Sequence, residues 1–104
     1  MSKYHAIRTE VDGYVFDSRA EARRYEDLKL LERIGEIGDL ELQPQFPIVV
    51  NGKKIGKYIA DFRYMDKVKK EVVIEDVKGM KTPVYRLKKK LVEAIYSVVI
   101  TEIT

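Results

Sequence analysis

Apolar and polar positions along the chain change period several times, and each change marks an element. Thr9-Glu-Val11 and Tyr14-Val-Phe16 flank Asp12-Gly13, a pair suited to a type I′ turn, and predict a hairpin over residues 4–16. A period of 3.6 follows. Ser18 as N-cap and Glu21 three residues later make a capping-box pattern, and the stripe Tyr25, Leu28, Leu31 predicts a helix to about Ile34, with Gly35 as its left-handed stop. Glu21 falls on the same side as that stripe, whereas Glu26 points away.

Extended patterns then dominate. Leu40–Gln43 and Phe46–Val50 are interrupted by Pro44 and Pro47, which argues for an edge strand or a bulge. Asn51-Gly52 is the strongest hairpin signal and leads into a predicted strand over Tyr58–Met65. A basic turn, Asp66 to Lys70, precedes Glu71–Val77, whose Val72-Val-Ile run is apolar on both faces and predicts a central strand covered on both sides. Thr82 and Pro83 fit the N-cap and first position of a second helix to about Tyr96. Its predicted buried stripe is Val84, Leu87, Leu91, Ala94 and Ile95, with Arg86, Lys89 and Lys90 outward. Ser97–Ile103 reads as a last strand. The order hairpin, helix, three strands, helix, strand permits a right-handed crossover, and so predicts an α/β fold: a mixed central sheet with helices on both faces.

Composition narrows the class. A chain of 104 residues that is 45% hydrophobic and 36% charged is expected to form one globular domain. It has no cysteine, which excludes disulfides, thiolate zinc sites and cysteine nucleophiles and fits a reducing cytoplasmic setting. Met1-Ser-Lys-Tyr-His-Ala has no apolar run of the signal-peptide type, and no segment approaches the roughly 18 apolar residues of a membrane helix. A net charge of +3 permits an anionic partner without demanding one, because 20 basic residues are nearly matched by 17 acidic ones.

The chemistry concentrates between Tyr58 and Gly79. Asp61 lies on one predicted strand and Asp76-Val77-Lys78 on the next, with Asp76 and Lys78 on one face and Glu75 and Val77 on the other. Phosphodiester hydrolysis calls for a hard cation that neutralises phosphate charge and acidifies water, and such cations prefer oxygen ligands. Two carboxylates aimed at one face supply them, the Val77 carbonyl is a further candidate ligand, and Glu21 can join from the first helix. An ammonium at Lys78 can hold phosphate or orient water, and burial would lower its pKa toward a base role.

These residues resemble the PD-(D/E)XK nuclease superfamily from Ser18 to Thr104, in its α-β-β-β-α-β order. More narrowly, Ser18-Arg-Ala-Glu21, Leu42-Gln-Pro-Gln-Phe46, Ala60-Asp61-Phe62 and Asp76-Val-Lys-Gly-Met-Lys-Thr82 look like a small phage-encoded branch known only as a domain of unknown function. The Gln-Pro and Ala-Asp-Phe elements are also similar to TnsA-type transposon end nucleases. Ala60 stands where the motif has proline. The resemblance implies a restriction-endonuclease-like core and a Mg2+- or Mn2+-dependent DNA endonuclease acting on branched, flap or junction DNA. It implies Glu21, Asp61 and Asp76 as ligands and Lys78 as catalytic lysine.

Each residue also has a plainer reading. Asp76 and Lys78 can be a strand end meeting solvent, Asp61 a salt bridge to Arg63 or Arg24, and Glu21 a helix cap. Arg86, Lys88, Lys89 and Lys90 can be a solvated helix face, or Lys81, Arg86, Lys88 and Lys89 phosphate contacts with Lys88 the best placed. Lys53, Lys54, Lys57 and the Lys67–Lys70 turn extend the same electrostatic track. Gln43 and Gln45 can line the site. The tyrosines read as packing, with Tyr85 the best candidate for stacking on a base. His5 has no assigned role. The competing function is a non-catalytic DNA-binding module or degenerate nuclease subunit, and cutting both strands calls for a symmetric homodimer.

Overall fold

The structure, a computed structural model, describes residues 7–104, so the first residues of the predicted hairpin and His5 lie outside it. The elements are β1 (Thr9–Val11), β2 (Tyr14–Phe16), α1 (Arg19–Arg33), β3 (Ile37–Leu42), β4 (Gln45–Val50), β5 (Lys53–Ile59), β6 (Phe62–Asp66), β7 (Glu71–Val77), α2 (Pro83–Tyr96) and β8 (Ile100–Ile103). They form a four-stranded mixed sheet ordered β3-β6-β7-β8 and two separate ribbons, β1-β2 and β4-β5. β7 is antiparallel to β6 and parallel to β8, which α2 connects.

Local signals account for the element ends. Ser18 Oγ accepts from the Glu21 N–H at 3.1 Å, and Thr82 Oγ1 accepts from the Tyr85 N–H at 3.1 Å, with Pro83 following. Gly35 takes φ +85° after α1, and Asn51 and Gly52 take φ 51° and 76°, the two left-handed residues of a type I′ turn.

The predicted single strand Tyr58–Met65 is broken. Residues 37–66 form one long hairpin bent at a corner: Gln43, with φ 52°, and Pro44 on the outgoing side meet Ala60 and Asp61 on the return. The Gln43 N–H donates to the Asp61 carbonyl at 2.9 Å and the Ala60 N–H to the Pro44 carbonyl at 3.1 Å, so pairing continues through the bend. The physical reason is Pro44, which brings no N–H to the ladder. With the ribbon set aside, the main-sheet elements run α1-β3-β6-β7-α2-β8.

The bend also exchanges faces. Tyr58 and Ala60 pack with Phe46, Ile48, Ile74, Val92 and Ile100 on the α2 side, whereas Phe62 and Tyr64 pack with Phe16, Tyr25, Leu28 and Ile37 on the α1 side. Burying a side chain the size of Leu28 or Phe62 stabilises the fold by about 1.5–3 kcal/mol. Two burial expectations are corrected. On α2 the buried residues are Tyr85 and Val92, with Leu91 partly buried, while Val84, Leu87 and Ile95 are 63%, 60% and 41% exposed and Ala94 is exposed too. The helix is apolar over a sector wider than one stripe, and its other edge is the one that meets the ribbon. Val72 is likewise exposed, so β7 is covered on both faces only from Ile74 onward.

Candidate functional site

The end of β7 carries two adjacent buried carboxylates on opposite faces, and their surroundings differ. Glu75, 1% exposed, faces α1. It accepts from Arg24 Nε at 2.8 Å and Arg24 Nη2 at 2.6 Å, and from the Tyr64 hydroxyl at 2.5 Å. The Glu75 partnership raises the Arg24 pKa further, and burial together with Glu75 raises that of Tyr64. Asp76, 0% exposed, faces the other way, and among the described residues neither of its oxygens accepts a hydrogen bond. Its nearest cation is Lys78 Nζ, 3.5 Å from Oδ1. Lys78 Nζ also lies 4.7 Å above the Tyr85 ring.

Asp61 occupies the corner rather than a mid-strand position. Its N–H donates to the Glu75 carbonyl at 3.1 Å, and its Oδ2 accepts from the Val77 N–H at 2.7 Å, so Asp61 straddles Asp76. Neither salt bridge that would explain Asp61 away is formed. Arg24 is committed to Glu75, and Arg63 to Glu41 at 2.6 Å.

Glu21 reaches this cluster from the first turn of α1. Among the described residues its carboxylate does not return a bond to the Ser18 N–H, so only half of the capping box forms. Burial, and then the charges of Asp61, Asp17 and Asp76, raise its pKa from 4.5 to about 7, against the opposing charge of Lys78. Burial raises Asp61 as well, and raises Asp76 from 3.8 to about 6, with Lys78 opposing. The charges of Asp61 and Asp76 that act on Glu21 place it in their electrostatic neighbourhood. As they stand, no three His, Cys, Asp or Glu side chains among the described residues are gathered into a ready metal cage. The donor set nonetheless fits a hard cation, because Asp76 offers two buried oxygens without a hydrogen-bond donor.

Of the candidate DNA contacts, Lys81 and Lys89 turn inward to Glu102, at 3.2 and 3.7 Å. The stacking role of Tyr85 is corrected: its ring is buried, and its hydroxyl donates to Glu102 Oε2 at 2.7 Å. Arg86 is exposed and Lys88 half-buried, and neither forms an ion pair among the described residues. Gln43 and Gln45 are exposed, Gln43 meeting the site through its backbone alone. The Lys67–Lys70 turn lies at the far end of β6 and β7 from Asp61 and Asp76, so it leaves the expected track.

Sequence reasoning missed Glu102, Asp17 and the Arg24–Glu75–Tyr64 cluster. The parallel register that sets Glu102 beside Asp76 was the available signal for the first. Asp17, next to the N-cap, had only its position. For Glu75, period-two alternation against a helix carrying Arg24 was the only clue.

The family described as "Protein of unknown function (DUF1064)" matches residues 1–103. The chain belongs to this family. No curated protein and no solved structure matches it. Among the described residues no helix is long and apolar enough to cross a membrane, which says nothing of β-barrels.

Proposed function

We propose that this family member is a Mg2+- or Mn2+-dependent deoxyribonuclease of the PD-(D/E)XK type, with a restriction-endonuclease-like core. Its substrate is branched, flap or junction DNA in phage or mobile-element recombination or replication, in the cytoplasm of the host cell. The observation that supports this reading is Asp76: a fully buried carboxylate that accepts no hydrogen bond among the described residues, straddled by Asp61 and paired only with Lys78 at 3.5 Å. Lys78 offsets part of the cost of burying this carboxylate, and a divalent ion held beside it would offset more.

Asp76 and Asp61 would hold the ion, with Glu21 and the Val77 carbonyl completing its oxygen shell. When bound, the ion supplies charge neutralisation at the phosphate and a more acidic water. Lys78, steadied over the Tyr85 ring, holds the scissile phosphate and the attacking water. Without the ion, burial and the charge of Asp61 raise the Glu21 pKa to about 7, a penalty that a cation held beside it would relieve. Arg86 and Lys88 contact the DNA backbone, and Lys81 and Lys89 do so on release from Glu102.

The test is cleavage of labelled duplex, flap, gapped and four-way substrates with and without Mg2+ or Mn2+. Cutting is expected only with metal, with a fall of about 100-fold or more in Asp76→Asn and Lys78→Ala. Undiminished cutting in both variants would sink the assignment. One observation favours a second reading, since the carboxylates do not form a ready cage. A non-catalytic DNA-binding subunit would bind the same substrates and cut none of them.

A further inference from the structure

The β4–β5 ribbon is not needed to complete the sheet, yet it springs from the corner that holds Asp61. Its inner face is fastened to α2. Phe46 packs edge-on against Tyr96 with centroids 5.3 Å apart, the Tyr96 hydroxyl donates to the Pro47 carbonyl at 2.8 Å, and Ile48 and Tyr58 are buried. Beyond Ile48 the register shifts, and every residue from Val49 to Ile55 is exposed. The charge distribution is one-sided. From Leu42 to Ala60 there is no Asp or Glu, while Lys53, Lys54 and Lys57 are present and exposed. Among the described residues these three lysines pair with no carboxylate, and Lys57 meets only Gln45 Oε1, at 3.5 Å.

We propose that the β4–β5 ribbon is a docking arm that lies along a groove of duplex DNA, its lysines on the phosphates leading away from the carboxylate corner. This rests on the nuclease reading only in the choice of DNA. Unpaired lysines on a strip without acidic residues select a polyanion. A two-stranded ribbon fits the major groove, which is about 12 Å wide. A single strand is disfavoured because the aromatic rings of the ribbon, Phe46 and Tyr58, are buried and leave no platform for bases. At about 3.3 Å per residue β5 spans roughly 20 Å. At ~3.4 Å per base pair that is about six base pairs on one side of the corner.

The test is fluorescence anisotropy of the full chain with a labelled 20-base-pair duplex, and with a single strand of equal length, in EDTA across about 50–200 mM salt. Removing three phosphate contacts in K53A/K54A/K57A is expected to lower the slope of log affinity against log salt by about 2.7, at ~0.9 per contact. Duplex affinity at low salt is expected to fall about tenfold or more. The equal charge change in K67A/K69A/K70A is expected to cost less than about threefold. Single substitutions, Lys53→Ala and Lys54→Ala, each lower the slope by about 0.9 and guard against misfolding of the triple variant. Equal losses in the two triple variants, or an equal loss for single strand and duplex, would overturn the proposal. Full duplex affinity in the ribbon variant would overturn it too, and would point to an acidic protein surface as the partner. Binding that depends on the ribbon, together with no cleavage of any substrate when Mg2+ or Mn2+ is supplied, would sink the nuclease reading alone.

Discussion

Replacing Asp76 by asparagine is expected to stabilise the fold at neutral pH while abolishing cleavage. Folding raises the Asp76 pKa from 3.8 to about 6, mainly by burial. Below about pH 4 the carboxyl is protonated in folded and unfolded chains alike, and folding carries no charge penalty. Between about pH 4 and pH 6 the folded chain holds a proton that the unfolded chain has released, so stability falls as pH rises. Above that window the penalty is complete. A shift of about two units, in which the attraction to Lys78 is already included, corresponds to at most ~3 kcal/mol at 1.36 kcal/mol per unit, so about 1–3 kcal/mol is the expected gain. For a domain of this size that is roughly 5–15 °C in Tm. Urea melts of wild type and Asp76→Asn at pH 4 and pH 8 measure it. The difference should be near zero at the lower pH and full at the higher. An asparagine variant no more stable than wild type at pH 8 would mean that Asp76 is solvated or paired, and the argument for a cation site would fail with it.

Other consequences follow from neighbouring groups. Glu21→Gln should remove a destabilisation of the same sign whose window runs up to about pH 7, flattening the wild-type decline in stability between pH 5 and pH 7 in thermal melts. Mg2+ or Mn2+ at ten times its Kd should raise wild-type stability at pH 8 by about 1.4 kcal/mol and leave Asp76→Asn unmoved, as read by calorimetry. Arg24→Ala strands the buried Glu75 and should cost about 3–5 kcal/mol in denaturant melts, whereas Arg24→Met with Glu75→Leu should recover most of it. Ser18→Ala and Thr82→Ala should each cost about 1 kcal/mol by loss of a helix cap.

Much of the architecture was legible because local chemistry decides it. Ser18, Gly35, Asn51-Gly52 and Thr82-Pro83 act through their own backbone and the next turn, and the structure places helix ends and turns where they indicate. What failed to read was whatever depends on two distant segments at once. A continuous strand over 58–65 looks the same in sequence whether or not it bends, and the bend is imposed from Gln43-Pro44 across the pair. The packed face of α2 is decided by which side the ribbon occupies. In the candidate site, alternation located Asp76 and Lys78 on one face and Asp61 on the neighbouring segment. It did not show that Asp61 would be fixed by the Val77 N–H, nor that Glu102 would draw in Tyr85, Lys81 and Lys89.

The contrast between Glu75 and Asp76 is the strongest physical argument for function here. Both side chains are buried on the same strand, one residue apart, in the same sheet. Around Glu75 the fold supplies a guanidinium and a phenol, three donors within hydrogen-bond distance. It is therefore able to satisfy a buried carboxylate at this depth. Around Asp76 it supplies one ammonium at 3.5 Å, itself drawn over an aromatic ring, and brings Glu102, whose charge makes ionisation of Asp76 harder, while Asp61 and Asp76 do the same to Glu21. A fold that carries a carboxylate only partly compensated by Lys78 beside a satisfied twin bears a cost that a neutral residue would avoid. On the proposed reading a bound cation would turn that cost into affinity, and the residues that weaken the empty fold would be the ones that hold the ion.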